Sequence, residues 1–165
     1  MKSIYLIGFM GAGKTTIGKE LAACVNVAVI DTDEEIVKRE KKSINDIFAE
    51  EGEEYFRFLE TKTLQELNDR EAVITTGGGI VVKPENREAL RHKGNVFFLY
   101  ATPEEIFKRL ENDQSRPLLK GYKMKLIREL YEERMPLYKD AANVIIDTTN
   151  RETHDIIKEI INRLE

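Results

Sequence analysis

The sequence predicts a single α/β domain, residues 1–165, built on a parallel five-stranded sheet with helices on both faces, and three observations lead to it. Short apolar, β-type runs alternate with helical stretches along the chain, with no internal repeat and no break in composition. The first run, Ile4 to Ile7, leads at once into Gly8-Phe9-Met10-Gly11-Ala12-Gly13-Lys14-Thr15, a match to G-x-x-x-x-G-K-[ST] set between a strand and a helix. The third run ends in Thr76-Gly77-Gly78-Gly79. Right-handed crossovers between parallel strands then cover both faces with helices.

Lys2 to Ile7 reads as the first strand and the glycine-rich string as a phosphate-binding loop. Gly8, Gly11 and Gly13 let the backbone turn tightly and aim its N–H groups inward, which suits a polyphosphate. Lys14 adds a point charge for the β- and γ-phosphates, and Thr15 a hydroxyl for Mg²⁺. From Thr16 a helix continues to about Ala23, and its N-terminal dipole favours the same anion. Val27 to Ile30 reads as a buried strand from its continuous apolar character, and it runs into Asp31-Thr32-Asp33. On an extended chain, acids at i and i+2 point the same way. Both would face the space beyond the carboxyl end of the strand, where ligands of open α/β sheets sit.

From Glu34 to about Asn68 the text is helical. Ser43 to Asp46 is an N-terminal capping signal, and Ile44, Ile47 and Phe48 form the stripe of a short helix that Gly52 breaks. Tyr55, Phe56, Leu59, Leu64 and Leu67 then mark a longer helix that packs inward and carries Arg57 and Glu60. Arg57 either pairs with Glu53 at i,i+4 or serves a site. Ala72 to Thr75 is the third strand. The glycine triplet after it implies special dihedrals or a backbone that approaches a ligand closely, a flexible linker being the alternative.

Pro84 to Arg91 reads as a helix stopped by Gly94, and Asn95 to Tyr100 as the fourth strand. Thr102 and Pro103 supply an N-cap and a first-turn proline for a helix ending near Leu110. The stretch from Glu111 to Leu119 turns from polar to proline-bearing and reads as a mobile flap, within a lid of about residues 111–123. Transfer of a phosphoryl group needs such a cover against water. Arg116 either closes over phosphates from this flap or is a solvated loop arginine. Lys123 to Tyr138 is a helix that Pro136 should kink or end, Asn143 to Asp147 the fifth strand, and the tail from Glu152 an amphipathic closing helix.

With a net charge of −4 and acids and bases interspersed, the chain lacks the basic excess that draws a protein to nucleic acid. Lys14 interrupts the short apolar start where a signal peptide would have its cleavage site, and no long apolar run follows. Neither export nor membrane insertion is expected. The single cysteine, Cys24, excludes an internal disulfide and reads as a buried small hydrophobe between Leu21 and Val25. A monomer in a reducing cytoplasm is the expectation.

Taken jointly, the GFMGAGKT loop, Asp31-Thr32-Asp33, Phe56-Arg57 with Glu60, the Gly77 to Gly79 triplet, Arg116-Pro117-Leu118-Leu119, and Arg134 with Pro136-Leu137-Tyr138 resemble the shikimate kinases over nearly the whole chain. That resemblance implies a three-layer P-loop fold with sheet order 2-3-1-4-5, ATP and Mg²⁺ as cosubstrates, and phosphoryl transfer to the 3-hydroxyl of shikimate in aromatic amino-acid biosynthesis. It implies a substrate-binding helical region over about residues 33–60. Arg57 and Arg134 match the family's carboxylate-binding arginines. Asp33 matches the acid that holds ring hydroxyls and accepts the proton of the attacking one, with the backbone of Gly77, Gly78 and Gly79 close to the ring. Asp31 matches an acid that meets Mg²⁺ through water, beside Thr15 as direct ligand and Thr75 as support. Gly11, Ala12, Gly13, Lys14, Thr15 and Thr16 would hold the phosphates, Lys14 and Arg116 would bracket the transferred group, and Arg109 and Arg151 would face adenine. The rivals are another small-molecule kinase of the same fold, such as a gluconate or nucleotide kinase, and a nucleotide-dependent switch with no small acceptor.

Overall fold

Runs of four or five apolar residues bounded by polar turns become strands because each is covered on two sides, and the helical stretches between them supply the cover. The computed structural model describes residues 2–112 and 122–164. Strands β1 (Ile4–Ile7), β2 (Ala28–Asp31), β3 (Ala72–Thr75), β4 (Val96–Tyr100) and β5 (Val144–Asp147) form one parallel sheet in the order β2-β3-β1-β4-β5. The expected order is the one found. β1 lies at the centre with all four residues buried, and its Leu6 pairs with Thr75 on one side and Phe97 on the other.

Helices α1 (Lys14–Val25), α2 (Thr32–Glu40), α3 (Ile44–Glu51), α4 (Glu53–Glu66), α5 (Pro84–Arg91), α6 (Pro103–Glu111), α7 (Tyr122–Ala141) and α8 (Thr153–Asn162) surround the sheet. The caps are those the sequence advertises. Ser43 and Thr102 each accept from the backbone N–H three residues on, and Pro103 opens α6. The main core runs through all five strands, while Ile36, Ile47, Phe56 and Leu59 form a smaller core that locks α2, α3 and α4 together beside the carboxyl end of the sheet.

Three expectations need correction. The Val27 to Ile30 stretch does not make a buried strand: β2 is an edge strand, Val29 is 39% exposed, and only Ile30 points fully inward. Cys24 is exposed, because Leu21 and Ala22 carry the inward face of α1. Of the kink or end expected at Pro136, the end is excluded. α7 runs on to Ala141, with Asp140 held by Arg87 and Arg91, so tertiary contacts override the missing N–H. Arg116 and the flap around it lie outside the described residues. No described helix is long and apolar enough to cross a membrane.

Candidate active site

The loop between β1 and α1 has Gly8, Gly11 and Gly13 at φ of 155°, 81° and 95°, conformations that residues with a Cβ rarely adopt. α1 begins at Lys14, directly behind the loop, so its first N–H groups are aimed at the same space. Lys14 Nζ donates to the carbonyls of Gly8 at 2.5 Å and Phe9 at 3.0 Å, which folds its charge over the loop.

Asp31 and Asp33 do reach the same space, though not along an extended strand. Asp31 ends β2 and caps α2, and Asp33 stands in the first turn of that helix. Asp31 accepts from the Glu34 N–H at 3.0 Å on one oxygen and from the Thr75 hydroxyl at 2.8 Å on the other. Its carboxylate is fixed by both bonds. Asp33 differs: its Oδ1 is sealed from solvent and makes no hydrogen bond. Burial, then the charge of Asp31, pushes the Asp33 carboxyl up to about 6 against the pull of Lys14 and Arg57. A carboxylate at that value is ionised at neutral pH yet basic enough to take a proton.

Each glycine of the triplet faces one charged group. A Cβ on Gly77 would come within 2.7 Å of the Asp33 carboxylate, one on Gly79 would overlap the Arg57 guanidinium, and one on Gly78 would meet Arg134 Nη1 at 3.5 Å. The triplet therefore makes room for the protein's own side chains, which the expectation of a ligand approach did not include. Thr32 accepts from the Gly77 N–H at 3.2 Å, and bonds from Ile80 to Gly77 and from Val82 to Gly79 hold the segment in turns.

Arg57 makes the Glu53 pair weighed for it and a second pair that was not anticipated. It pairs with Glu53 one turn back at 3.3 Å and with the buried Glu60 at 2.5 Å, and the residue is only 8% exposed. Burial pushes the Glu60 carboxyl up to about 7 despite the attraction of Arg57, with the nearby charge of Asp33 adding to the rise. Glu60 was noticed only as part of a motif. The i,i+3 spacing from Arg57 was its local signal.

Gly11, Gly13, Lys14, Thr15, Thr16, Asp31, Asp33, Gly77, Gly78, Arg109 and Arg134 line one cleft of about 520 Å³. Arg57 and Gly79 pack behind it. Sharing Gly13, Thr16 and Arg109 with that cleft, a second hollow of about 240 Å³ is bordered also by Ala12, Thr148 and Arg151. Arg109 spans the two, donating to Gly11 and Thr148 carbonyls at 3.2 and 3.3 Å while paired with Glu105. Arg151 is held by Glu159 at 2.6 Å and by the Asp147 carbonyl at 2.9 Å. Every anticipated site residue among those described lies on or directly behind these two hollows.

A family model described as shikimate kinase matches residues 10–165. The shikimate kinase of Enterococcus faecalis is 47% identical over 100% of this chain and 99% of its own length. Among solved structures, that of the shikimate kinase from Acinetobacter baumannii in complex with shikimate is 39% identical, with a TM-score of 0.88 over 98% of this chain and 92% of that one. A gluconokinase from Sinorhizobium meliloti, at 18% identity and a TM-score of 0.61 over 98% of this chain and 90% of its own, shares the fold alone. The glycine-rich loop and the full-length similarity lead to one assignment: this chain belongs to the shikimate kinase family.

Proposed function

We propose that the chain transfers the γ-phosphoryl group of ATP to the 3-hydroxyl of shikimate, releasing ADP and shikimate 3-phosphate, with the cleft between the phosphate loop and the glycine triplet as its site. The observation that carries the reading is the convergence of Asp33, Arg57 and Arg134 on three adjacent glycines beside Lys14. Shikimate offers one carboxylate and three ring hydroxyls, so it needs guanidinium forks for the acid and an acceptor for an alcohol. Arg57 and Arg134 supply the forks, and Asp33 supplies the acceptor. A gluconate kinase would share the fold without needing this set around a ring. The A. baumannii relative, which carries shikimate, supports the same choice.

In the reaction, the 3-hydroxyl oxygen attacks the γ-phosphorus as its proton passes to Asp33. The new O–P bond forms while the bond from the γ-phosphorus to the β,γ-bridging oxygen breaks and leaves ADP. Backbone N–H groups from Gly11 to Thr16 cradle the phosphates. Lys14 exchanges its carbonyl partners for phosphate oxygens and, with Arg116 from the flap, offsets charge on the transferred group. Arg109 and Arg151 border the adenine side.

Mg²⁺ fits the donor set. Among the described residues no cluster of three or more His, Cys, Asp or Glu could hold a metal, in keeping with an ion bound chiefly by phosphates and water. Thr15 would be its protein ligand, and Asp31, with both oxygens already engaged, would reach it through water. When bound, the ion neutralises phosphate charge. We place the enzyme in the cytoplasm as a monomer, where the exposed Cys24 stays reduced. Coupled ADP release with shikimate, gluconate and AMP tests the function: turnover on shikimate alone supports it. Turnover on gluconate, or ATP hydrolysis indifferent to every acceptor, contradicts it.

A further inference from the structure

Asp33 Oδ1 is sealed from solvent and takes no hydrogen bond, whereas both oxygens of Asp31, two residues earlier, are engaged. Packing on that side sets where the Asp33 carboxylate stands. The packing partner is Gly77, where a Cβ would lie 2.7 Å from Oδ1, 2.9 Å from Oδ2 and 3.1 Å from Cγ of Asp33. All three carboxyl atoms are nearly equidistant from that point, so the group lies broadside against the bare Cα of Gly77.

Gly77 is itself held by two bonds. Its carbonyl accepts from the Ile80 N–H at 3.1 Å within a turn, and its N–H donates to the Thr32 hydroxyl at 3.2 Å. Only the second reaches the element that carries Asp33. Thr32 is the first residue of α2, next to Asp33 in the chain, and it is fully buried, so it acts on the cleft only through Gly77. Its branched side chain has few rotamers open to it, which keeps the hydroxyl in place. One residue earlier, Asp31 pairs with Thr75 in the ladder between β2 and β3 and accepts from its hydroxyl at 2.8 Å. The bond from Gly77 to Thr32 therefore continues the union of these two strands past their ends and ties the glycine triplet to the first turn of α2.

We propose that Thr32 is the positioning residue for Asp33: by holding the Gly77 N–H it fixes the glycine wall against which the proton-accepting carboxylate is seated. The inference deepens the shikimate reading and rests on it. Coupled ADP release with shikimate, and calorimetry with ADP, test it in wild type, Thr32→Val, Thr32→Ser and Gly77→Ala. Valine keeps the branch and removes the hydroxyl, while serine keeps the hydroxyl and removes the methyl group. Expected in Thr32→Val is a fall in kcat of about tenfold, with ADP affinity within about twofold of wild type and the KM for shikimate changed less than kcat, because a displaced group costs rate at the reacting atoms. Serine should hold kcat within about twofold of wild type. Gly77→Ala, which pushes on the carboxylate itself, should repeat the valine pattern. A loss shared equally between kcat and ADP affinity, failure of serine to keep the rate, full kcat in Thr32→Val, or full kcat in Gly77→Ala would overturn the proposal while leaving the function intact. A Thr32→Val chain that circular dichroism finds unfolded would overturn it too, by assigning the hydroxyl to the fold. A wild-type chain that does not turn over shikimate would overturn the function and this inference together.

Discussion

The Arg57 guanidinium rests on Gly79 so closely that one methyl group at residue 79 would overlap it. Arg57 cannot simply swing away, because Glu60 and Glu53 hold it from the other side. Gly79→Ala should therefore raise the KM for shikimate on the order of tenfold by displacing a buried, paired guanidinium. Gly78→Ala, whose Cβ meets only ordinary contacts at 3.5 and 3.6 Å, should have a much smaller effect. Steady-state kinetics at saturating ATP separates the two, and equal losses would count against the steric argument.

Asp33→Asn removes the proton acceptor while keeping size and polarity. The expected result is a fall in kcat of about 10²- to 10⁴-fold with ATP affinity nearly unchanged. Calorimetry with ADP supplies the second half of the test. A parallel loss of nucleotide affinity would reassign Asp33 to the metal.

Because the Asp33 carboxyl lies up at about 6, kcat/KM for shikimate should rise with pH through an acid limb near that value, falling about tenfold one unit below it. Asp31 contributes to the elevation by its charge. Asp31→Asn should thus move the limb to lower pH, whatever it does to the plateau. A profile whose acid limb stays in place would remove Asp31 from the causes.

Glu60 gives the fold a pH dependence of its own. Its folded pKa of about 7 exceeds the ordinary value of 4.5, so between those values the folded state holds a proton that the unfolded state has released. The contribution is complete below about 4.5 and is lost as pH rises through about 7. Urea midpoints measured across that window should decline with rising pH, and Glu60→Gln should flatten the decline. An unchanged slope in the variant would place the dependence elsewhere.

The strand and helix pattern was legible because apolar runs and caps are local signals: Ser43, Thr102 and Pro103 do what their neighbours in sequence imply. What failed was set at a distance. Whether Val29 is covered depends on β2 ending up at the edge of the sheet, and whether Pro136 ends a helix depends on what holds Asp140. At the site, Asp31 and Asp33 were found for an incomplete reason, since a helix cap and not an extended strand aims them. The glycine triplet was legible as a close approach, but the approaching groups come from residues 22 to 56 positions away and leave no local trace.

The most direct measurement is a crystal structure with ADP and shikimate bound. The carboxylate should lie between the Arg57 and Arg134 guanidinium groups, with the 3-hydroxyl within hydrogen-bond reach of Asp33 and facing the phosphate loop. Shikimate seated away from these three side chains, or turned so that another hydroxyl meets Asp33, would contradict the assignment.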